Sequence, residues 1–287
     1  MRNLKIACLQ LELKKNNNFD LVESKIIETS KQNNDIDLFV LSELCVGGAG
    51  TENKTFYLEN YLDKFSALAR TVNAWIIPGT FYEEIEGKIF NTAPIINSSG
   101  ELVQKCRKMF PWLPYEKNVA LNSDACLFDM PDIGKLGVHI CYDLWFPETS
   151  RMLALSGAEI IINPTLTPTK DREIETVMVR ATAAQQQVFY IDVNSCGEQG
   201  CGHSIVCDPN GEVVHKSPES EDVFIVNLDL DLTKEVRENG IFGLGQPIKS
   251  FRDHEGFKDM YRVKDEDYLQ SLGSMIKNQI KEENDEQ

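Results

Sequence analysis

Three residues that could do chemistry stand at the ends of apolar, strand-like runs. Glu43 follows the run 38–41 after one intervening residue, Cys141 comes directly after the run 135–140, and Lys108 closes a third run. In open α/β sheets, ligands and active-site side chains gather at the carboxyl ends of strands. A thiol beside a carboxylate and an ammonium has the parts for nucleophilic catalysis, because the carboxylate can take the thiol proton and the ammonium can stabilise an oxyanion.

Cys141 is followed by Tyr142-Asp143 and then by a helix-like stretch. Backbone N–H groups at such a helix start favour both a thiolate and a developing oxyanion. Taken alone, each residue also fits an ordinary role. Cys141 could be a buried core thiol, Glu43 a surface carboxylate and Lys108 a solvated cation.

The elements that must position these residues alternate along the chain, which predicts an α/β fold. Helical spacing covers residues 19–32, 57–72, 148–155 and 174–187, and strand-like runs cover 4–10, 38–41, 75–79, 81–84, 91–97, 102–108, 135–140, 159–163, 189–194, 202–207, 212–215 and 223–228. No Ser/Gly-rich linker divides the chain. We therefore expect one domain over residues 1–256 and a polar tail over 257–287, partly disordered or docked on a partner subunit.

The composition excludes several classes of function. The 287 residues include 29 Lys and Arg against 45 Asp and Glu, which gives a formal net charge of −16. Such a charge disfavours binding to nucleic acid or to anionic membranes. No apolar run approaches the roughly 20 residues of a membrane span, and the start of the chain lacks the apolar stretch of a signal peptide. We therefore expect a cytoplasmic protein.

The eight cysteines are scattered and lack C-x-x-C spacing. The closest pair, Cys196 and Cys201, is spaced more widely than usual zinc ligands. A secreted disulfide scaffold is short and dense in cysteine, which this chain is not. We expect most of these cysteines to be reduced and buried.

Several segments, taken in order, resemble the nitrilase-like carbon–nitrogen hydrolase superfamily, whose catalytic set is Glu, Lys and Cys. The main matches are residues 38–44 (LFVLSEL) with the glutamate element, 105–109 (KCRKM) with the lysine element, and 139–148 (HICYDLWFPE) with the nucleophile motif. Cys106 stands where the family usually has Tyr. Further matches are residues 91–93, Arg151 with 157–159, and 163–164. The resemblance runs from about residue 4 to residue 253.

The resemblance implies a four-layer αββα sandwich. It also implies that two copies pair as a homodimer through the helix after the nucleophile, here residues 146–155. The reaction it implies is hydrolysis of a small-molecule amide through an acyl-thioester, with no metal and no organic cofactor.

The resemblance also implies a role for each matching residue. Cys141 would be the nucleophile and Glu43 the general base. Lys108 would stabilise the oxyanion, helped by the backbone N–H of Tyr142. Glu116 would be a second glutamate that orients Lys108 and the substrate.

Two clues bear on the substrate. Residues 108–116 (KMFPWLPYE) resemble the loop of aliphatic amidases and formamidases, whereas residues 144–148 resemble the N-carbamoyl amine branch. We expect a small linear carboxamide, cleaved to the acid and ammonia, with N-carbamoyl amine hydrolysis as the alternative. The expected substrate-binding residues are Tyr142, Trp112, Tyr115, Trp145 and Thr165.

Other classes of protein stay open. A Cys-His protease would need a His partner for its nucleophile, and His139 lies two residues before Cys141 on the same strand. A metal-binding thiol protein could use Cys196, Cys201 and His203. A non-catalytic protein on this fold is the third alternative, and the intact catalytic set argues against it.

Overall fold

The computed structural model describes residues 2–113, 115–257, 266–271 and 273, and their main feature is a pair of stacked β-sheets. The first sheet has seven strands, β1 (Asn3–Gln10), β3 (Leu38–Leu41), β4 (Trp75–Ile77), β5 (Phe81–Ile85), β6 (Lys88–Ile96), β7 (Leu102–Arg107) and β15 (Asp222–Asp229). The second has six, β8 (Cys126–Met130), β9 (Gly134–Val138), β10 (Ile160–Pro164), β11 (Phe189–Val193), β13 (Ile205–Cys207) and β14 (Val213–Lys216). A small parallel pair joins β2 (Glu12–Leu13) to β12 (Cys196–Gly197).

Both sheets have a parallel centre. The first sheet runs in the order β15-β1-β3-β4-β6-β5, with β7 paired to β6, and the second runs β14-β13-β11-β10-β9-β8. β3 lies parallel to β1 and β4, and β10 lies parallel to β9 and β11. Parallel neighbours need long connections, which helices usually supply. The described helices are α1 (Phe19–Gln32), α2 (Leu62–Val72), α3 (Pro147–Leu155), α4 (Arg172–Gln186), α5 (Asp231–Asn239), α6 (Pro247–Arg252) and α7 (Glu266–Ser271).

The two faces of the first sheet are buried against different layers. Along β1, Ile6 and Cys8 pack into the core between the sheets, while Ala7 and Leu9 pack into the core beneath α1 and α2. Successive strand residues point to opposite faces, so a strand that is apolar throughout must be covered on both sides. This explains the unbroken apolar sequence of the central strands.

The second sheet is covered in the same way by α3 and α4. Val179 and Ala183 of α4 pack in one cluster with Ile161 of β10 and Tyr190 of β11. The layers therefore run helix, sheet, sheet, helix, and the predicted αββα sandwich is confirmed.

Element boundaries differ from the sequence prediction where an aromatic ring is buried. The helix expected over 57–72 begins at Leu62, after two short 3-10 turns. Tyr57 lies between these turns in an extended conformation and is buried, with its ring 6.3 Å from that of Tyr82. The prediction also omitted β8, α5 and α6, because these elements are short and offer little periodic apolar pattern.

Two of the eight cysteines form a disulfide bond, and the other six have free thiols, as expected for most of them. Cys106 on β7 and Cys126 on β8 form a disulfide bond, with their Cα atoms 5.3 Å apart. The bond joins the two sheets and closes the segment that carries Lys108 and Glu116. The sequence analysis did not predict this pair, because the proximity of the two cysteines arises only when the sheets stack. The cysteines with free thiols are Cys8, Cys45, Cys141, Cys196, Cys201 and Cys207.

The described part of the predicted tail 257–287 includes α7. Its Tyr268 packs beside Arg237 of α5, whose guanidinium lies 5.6 Å from the ring centroid. Residues 258–265, 272 and 274–287 lie outside the described residues. Among the helices that the structure describes, none is long and apolar enough to cross a membrane.

Gly79, just after β4, lets the backbone pass closely against Ser42. Its φ is +72°, and a Cβ there would overlap the Ser42 carbonyl oxygen, next to Glu43.

We expect Gly79→Ala to lower the free energy of unfolding by about 2 kcal/mol or more, measured by urea denaturation. Gly87→Ala is the matched control, because φ is +75° there and a Cβ would meet nothing within 4 Å. An equal loss of unfolding free energy in the two variants would contradict the close approach of Gly79 to Ser42.

Candidate active site

Glu43, Lys108 and Cys141 converge from the ends of strands in both sheets. Glu43 lies two residues after β3, Lys108 lies directly after β7, and Cys141 opens a 3-10 helix (Cys141–Trp145) that follows β9. All three side chains are buried, with exposed fractions of 3%, 2% and 9%. The fold thus brings together the three residues that the sequence analysis selected.

The backbone is left-handed at two points of this site. Cys141 and Leu44, the neighbour of Glu43, both have a φ of +49°. Residues other than glycine rarely adopt this conformation, and where they do the surrounding structure holds them in place. Each sharp turn follows a strand and presents one reactive side chain to the same point.

The ammonium of Lys108 lies between two carboxylates. Its Nζ donates to Glu43 Oε1 at 2.8 Å and to Glu116 Oε2 at 2.7 Å. Burial by itself would lower the pKa of Lys108, but the negative charges of Glu43 and Glu116 oppose burial, and the pKa is raised well above its ordinary value. Lys108 is therefore a fixed positive charge at neutral pH.

Asn91, on β6, links the same groups through its side chain and its backbone. Its Nδ2 donates to Glu43 Oε1 at 2.8 Å and to Glu116 Oε1 at 3.0 Å, and its carbonyl oxygen accepts the Lys108 N–H at 2.8 Å. The sequence analysis used Asn91 only as part of a motif and missed this function. The sequence did contain a signal for this function. Asn91 is a polar amide within a strand-like run, and a buried amide needs hydrogen-bond partners.

Glu116 connects Lys108 to the backbone of the loop that follows. Its Oε2 also accepts the Trp112 N–H at 2.6 Å. The ring of Trp112 stacks on that of Tyr115, with centroids 4.5 Å apart. These contacts suit the orienting role expected for Glu116, which stays a prediction.

The thiol of Cys141 is held in its neutral form. Burial, and then the charge of Glu43, raise the pKa of Cys141 well above its ordinary value, against the opposing effect of Lys108. Burial also raises the pKa of Glu43, against the effect of Lys108. The Cys141 thiol lies 3.9 Å from the carbonyl oxygen of Leu166. A basic carboxylate thus lines the same cavity as the thiol that must lose its proton before it can attack.

Asp143 ties the backbone after Lys108 to the backbone before Cys141. Its Oδ1 accepts the Phe110 N–H at 2.8 Å and the Met109 N–H at 3.1 Å, and its Oδ2 accepts the Ile140 N–H at 3.0 Å. Asp143 is only 1% exposed. The sequence analysis named Asp143 only as a neighbour of Cys141 and missed this connection, which depends on two segments that are distant in sequence.

Two cavities meet at Cys141. The main cavity, of about 540 Å³, is lined by residues that include Glu43, Lys108, Glu116 and Cys141. A second cavity of about 240 Å³, which we call the Trp145 cavity, is lined by Cys141 but by none of those three charged groups. Cys141 therefore lines both cavities.

The predicted substrate-binding residues divide between these cavities. Trp112 lines both of them, Tyr115 lines the main cavity, and Tyr142 and Trp145 line the Trp145 cavity. Thr165 lines neither. It is 1% exposed, and its carbonyl oxygen accepts the Glu43 N–H at 3.2 Å, so it supports the backbone of the site instead.

The geometry does not support the histidine-based or metal-based alternatives. His139 Nδ1 lies 3.1 Å from the hydroxyl of Tyr190, and burial lowers the pKa of His139 to about 4. In the described part of the chain, no three His, Cys, Asp or Glu side chains are grouped so as to hold a metal ion. Cys196, Cys201 and His203 therefore do not form a metal site there.

Several known proteins are similar to this chain in fold and in sequence. The family model for carbon–nitrogen hydrolases matches residues 5–238. A deaminated glutathione amidase of Dictyostelium discoideum is 30% identical over 246 residues, covering 75% of this chain and 84% of that protein. A protein of Staphylococcus aureus named hydrolase in agr operon is 33% identical over 218 residues, covering 72% and 84%. The crystal structure of Saccharomyces cerevisiae Nit3, a member of branch 10 of the nitrilase superfamily, has a TM-score of 0.75 at 26% identity, covering 82% and 93%.

The chain belongs to the carbon–nitrogen hydrolase family, within the nitrilase superfamily. The family resemblance drawn from the sequence is thereby confirmed. The protein is a hydrolase that acts on carbon–nitrogen bonds other than peptide bonds.

Replacing Asp143 tests whether its carboxylate holds the site together. In Asp143→Asn, an N–H₂ group faces a backbone N–H, so we expect kcat for hydrolysis to fall about 10- to 100-fold while the fold is retained. Circular dichroism checks the fold. Asp129→Asn, on an exposed position of β8, is the matched control and should leave kcat unchanged. Equal activity of wild type and Asp143→Asn would refute the positioning role.

Asp143 also gives this test a pH signature. Burial raises the pKa of Asp143 from 3.8 to about 7, against the three backbone N–H groups and Lys108. Between these values the folded chain holds a proton that the unfolded chain releases, so the wild-type free energy of unfolding decreases as pH rises through this range. Asp143→Asn lacks this titration. Parallel stability-against-pH curves for the two proteins would contradict the raised pKa.

Proposed function

We propose that this protein is a cysteine-dependent amidase that hydrolyses a small linear carboxamide to the acid and ammonia. The observation that carries the proposal is the buried contact of Lys108 with Glu43 and Glu116, at 2.8 and 2.7 Å, beside the thiol of Cys141. A nucleophile, a base and a fixed positive charge at the wall of one cavity suit acyl transfer.

The first half of the reaction forms a thioester. Glu43 takes the proton of the Cys141 thiol as the sulfur attacks the carbonyl carbon of the amide. The carbonyl oxygen becomes an oxyanion, which the Lys108 ammonium and the Tyr142 N–H stabilise. When the C–N bond breaks, Glu43 returns the proton to the nitrogen, and ammonia leaves.

The second half of the reaction uses the same groups on water. Glu43 takes a proton from a water molecule, whose oxygen attacks the thioester carbon. The C–S bond breaks, the proton passes to the sulfur, and the carboxylic acid is released. Glu116 keeps Lys108 in position during both halves, because its carboxylate accepts a hydrogen bond from the ammonium at 2.7 Å.

The relative in Dictyostelium discoideum carries an amidase name, which supports amide hydrolysis for this chain. The main cavity, at about 540 Å³, has room for a substrate larger than formamide. N-carbamoyl amine hydrolysis stays the alternative, because residues 144–148 resemble that branch.

We also propose that the protein is a cytoplasmic homodimer. Ile174 and Val177 on α4 are 52% and 68% exposed, beside the α3 segment that the sequence analysis selected as an interface. Apolar side chains on adjacent helices favour association with a second copy. The net charge of −16 agrees with a protein that binds neither nucleic acid nor anionic membranes.

Ammonia release from a panel of amides tests the function. The panel contains formamide, short aliphatic amides, ω-amides and N-carbamoyl amines. We expect turnover of linear carboxamides, loss of at least about 10³-fold in Cys141→Ala, and loss of about 10²-fold in Glu116→Gln.

Cys207→Ala is the control for this test, because it removes a buried thiol that lines neither cavity. It should keep nearly full activity. Substantial hydrolysis by Cys141→Ala would overturn the mechanism, and turnover of N-carbamoyl amines alone would select the alternative substrate.

A further inference from the structure

The Trp145 cavity is a second recess at the nucleophile to which the mechanism assigns no part. Its volume is about 240 Å³, which is less than half of the roughly 540 Å³ of the main cavity. Its lining includes Cys141, the aromatic side chains of Trp112, Tyr142 and Trp145, and the carboxylates of Asp171 and Glu175. A cavity of this size next to the thiol can hold a short chain attached to the reacting carbon.

The arrangement of catalytic groups indicates which part of the substrate enters this cavity. In the proposed reaction the leaving nitrogen must receive a proton from Glu43, which lines the main cavity and not the Trp145 cavity. The carbonyl oxygen must face Lys108, which also lines only the main cavity. The acyl chain takes part in no proton transfer, so it is the substituent that suits the Trp145 cavity.

The polar wall of the cavity is formed by the carboxylate of Glu175. This residue is 3% exposed. Its Oε1 accepts the indole N–H of Trp145 and the hydroxyl of Thr167, both at 3.2 Å, and its Oε2 accepts a guanidinium N–H of Arg172 at 3.1 Å. Burial raises the pKa of Glu175, whereas the charge of Arg172 and the hydrogen bonds from Trp145 and Arg172 oppose burial and stabilise the carboxylate form.

Arg172 does not neutralise this wall. Its guanidinium is shared between Glu175 and the buried Asp192, so one positive charge faces two negative charges. Asp171 adds a further carboxylate to the lining. The described residues that line the cavity include no Lys, Arg or His. The cavity therefore has an excess of negative charge.

Aromatic rings form much of the remaining wall. Trp112, Tyr142 and Trp145 all line the cavity, and the rings of Tyr142 and Trp145 lie 6.3 Å apart. Aromatic faces attract a desolvated ammonium through their quadrupoles. The same wall would bury the methylene groups of a short chain.

We propose that the Trp145 cavity binds the acyl chain of a substrate whose far end is a protonated amine, with Glu175 and Asp171 as its charge partners. The inference rests on the proposed amidase function and names the substrate class of that same site. A carboxylate at the end of the chain would be repelled by Glu175, and a methyl group would gain no charge interaction with it.

Three amides of one shape test this inference. They are 4-aminobutanamide, pentanamide and the monoamide of glutaric acid, which differ only in a terminal ammonium, methyl or carboxylate. For wild type we expect kcat/KM to be about tenfold higher for the ammonium compound than for the methyl compound, and lowest for the carboxylate. A wild-type preference for the methyl or carboxylate compound would overturn the proposal without any variant.

Variants then assign the preference to the cavity. Glu175→Gln should lower the ammonium-to-methyl ratio about tenfold, and Asp171→Asn about threefold. The ratio is the readout because loss of the Glu175 charge also changes the pKa of Cys141, which affects every substrate alike. Glu173→Gln, on an exposed position of the same helix, is the matched control and should leave the ratio unchanged.

The outcomes separate the inference from the proposed function. Turnover of the amides with a ratio that neither Glu175→Gln nor Asp171→Asn alters would reject the cavity as the ammonium site and leave the amidase function standing. Absence of turnover for all three amides and for the whole amide panel would reject the proposed function, and the inference with it.

Discussion

The buried ammonium of Lys108 is the interaction on which the rest of the site depends. Transfer of such a group out of water is unfavourable by several kcal/mol unless opposite charges surround it. Glu43 and Glu116 supply those charges at 2.8 and 2.7 Å. The ends of β3 and β7 and the segment that carries Glu116 must therefore meet at one point. Removal of either carboxylate leaves a buried cation with an incomplete set of partners.

Supporting residues hold this arrangement through backbone groups. Asn91 contacts both carboxylates and the Lys108 N–H, while Asp143 joins the segment after Lys108 to the residue before Cys141. Gly79 lets β4 approach the turn that carries Glu43. Because these contacts are buried and mutually dependent, the distance between the positive charge and the thiol is set by the fold and not by flexible side chains.

The positions of Glu43, Lys108 and Cys141 were predictable from sequence because each follows a strand-like run, and strand ends are where a sheet presents reactive groups. The disulfide between Cys106 and Cys126 was not predictable from sequence, since it depends on the stacking of two sheets. The contacts of Asp143, and of Arg172 with Asp192 and Glu175, were also missed. The local sequence pattern indicates which residues are buried and which secondary structure they form. These contacts instead depend on long-range packing between segments that are far apart in the sequence.

The central claim is that Cys141 carries the acyl group as a thioester during turnover, and acid-quenched mass spectrometry tests it most directly. Wild-type protein is mixed with an amide that it hydrolyses, quenched at a series of times from milliseconds to seconds, and digested for peptide mapping. The account predicts a mass increase equal to the amide minus ammonia, located on the peptide that contains Cys141. Turnover without a covalent adduct at any quench time, or an acyl group on another residue, would contradict it.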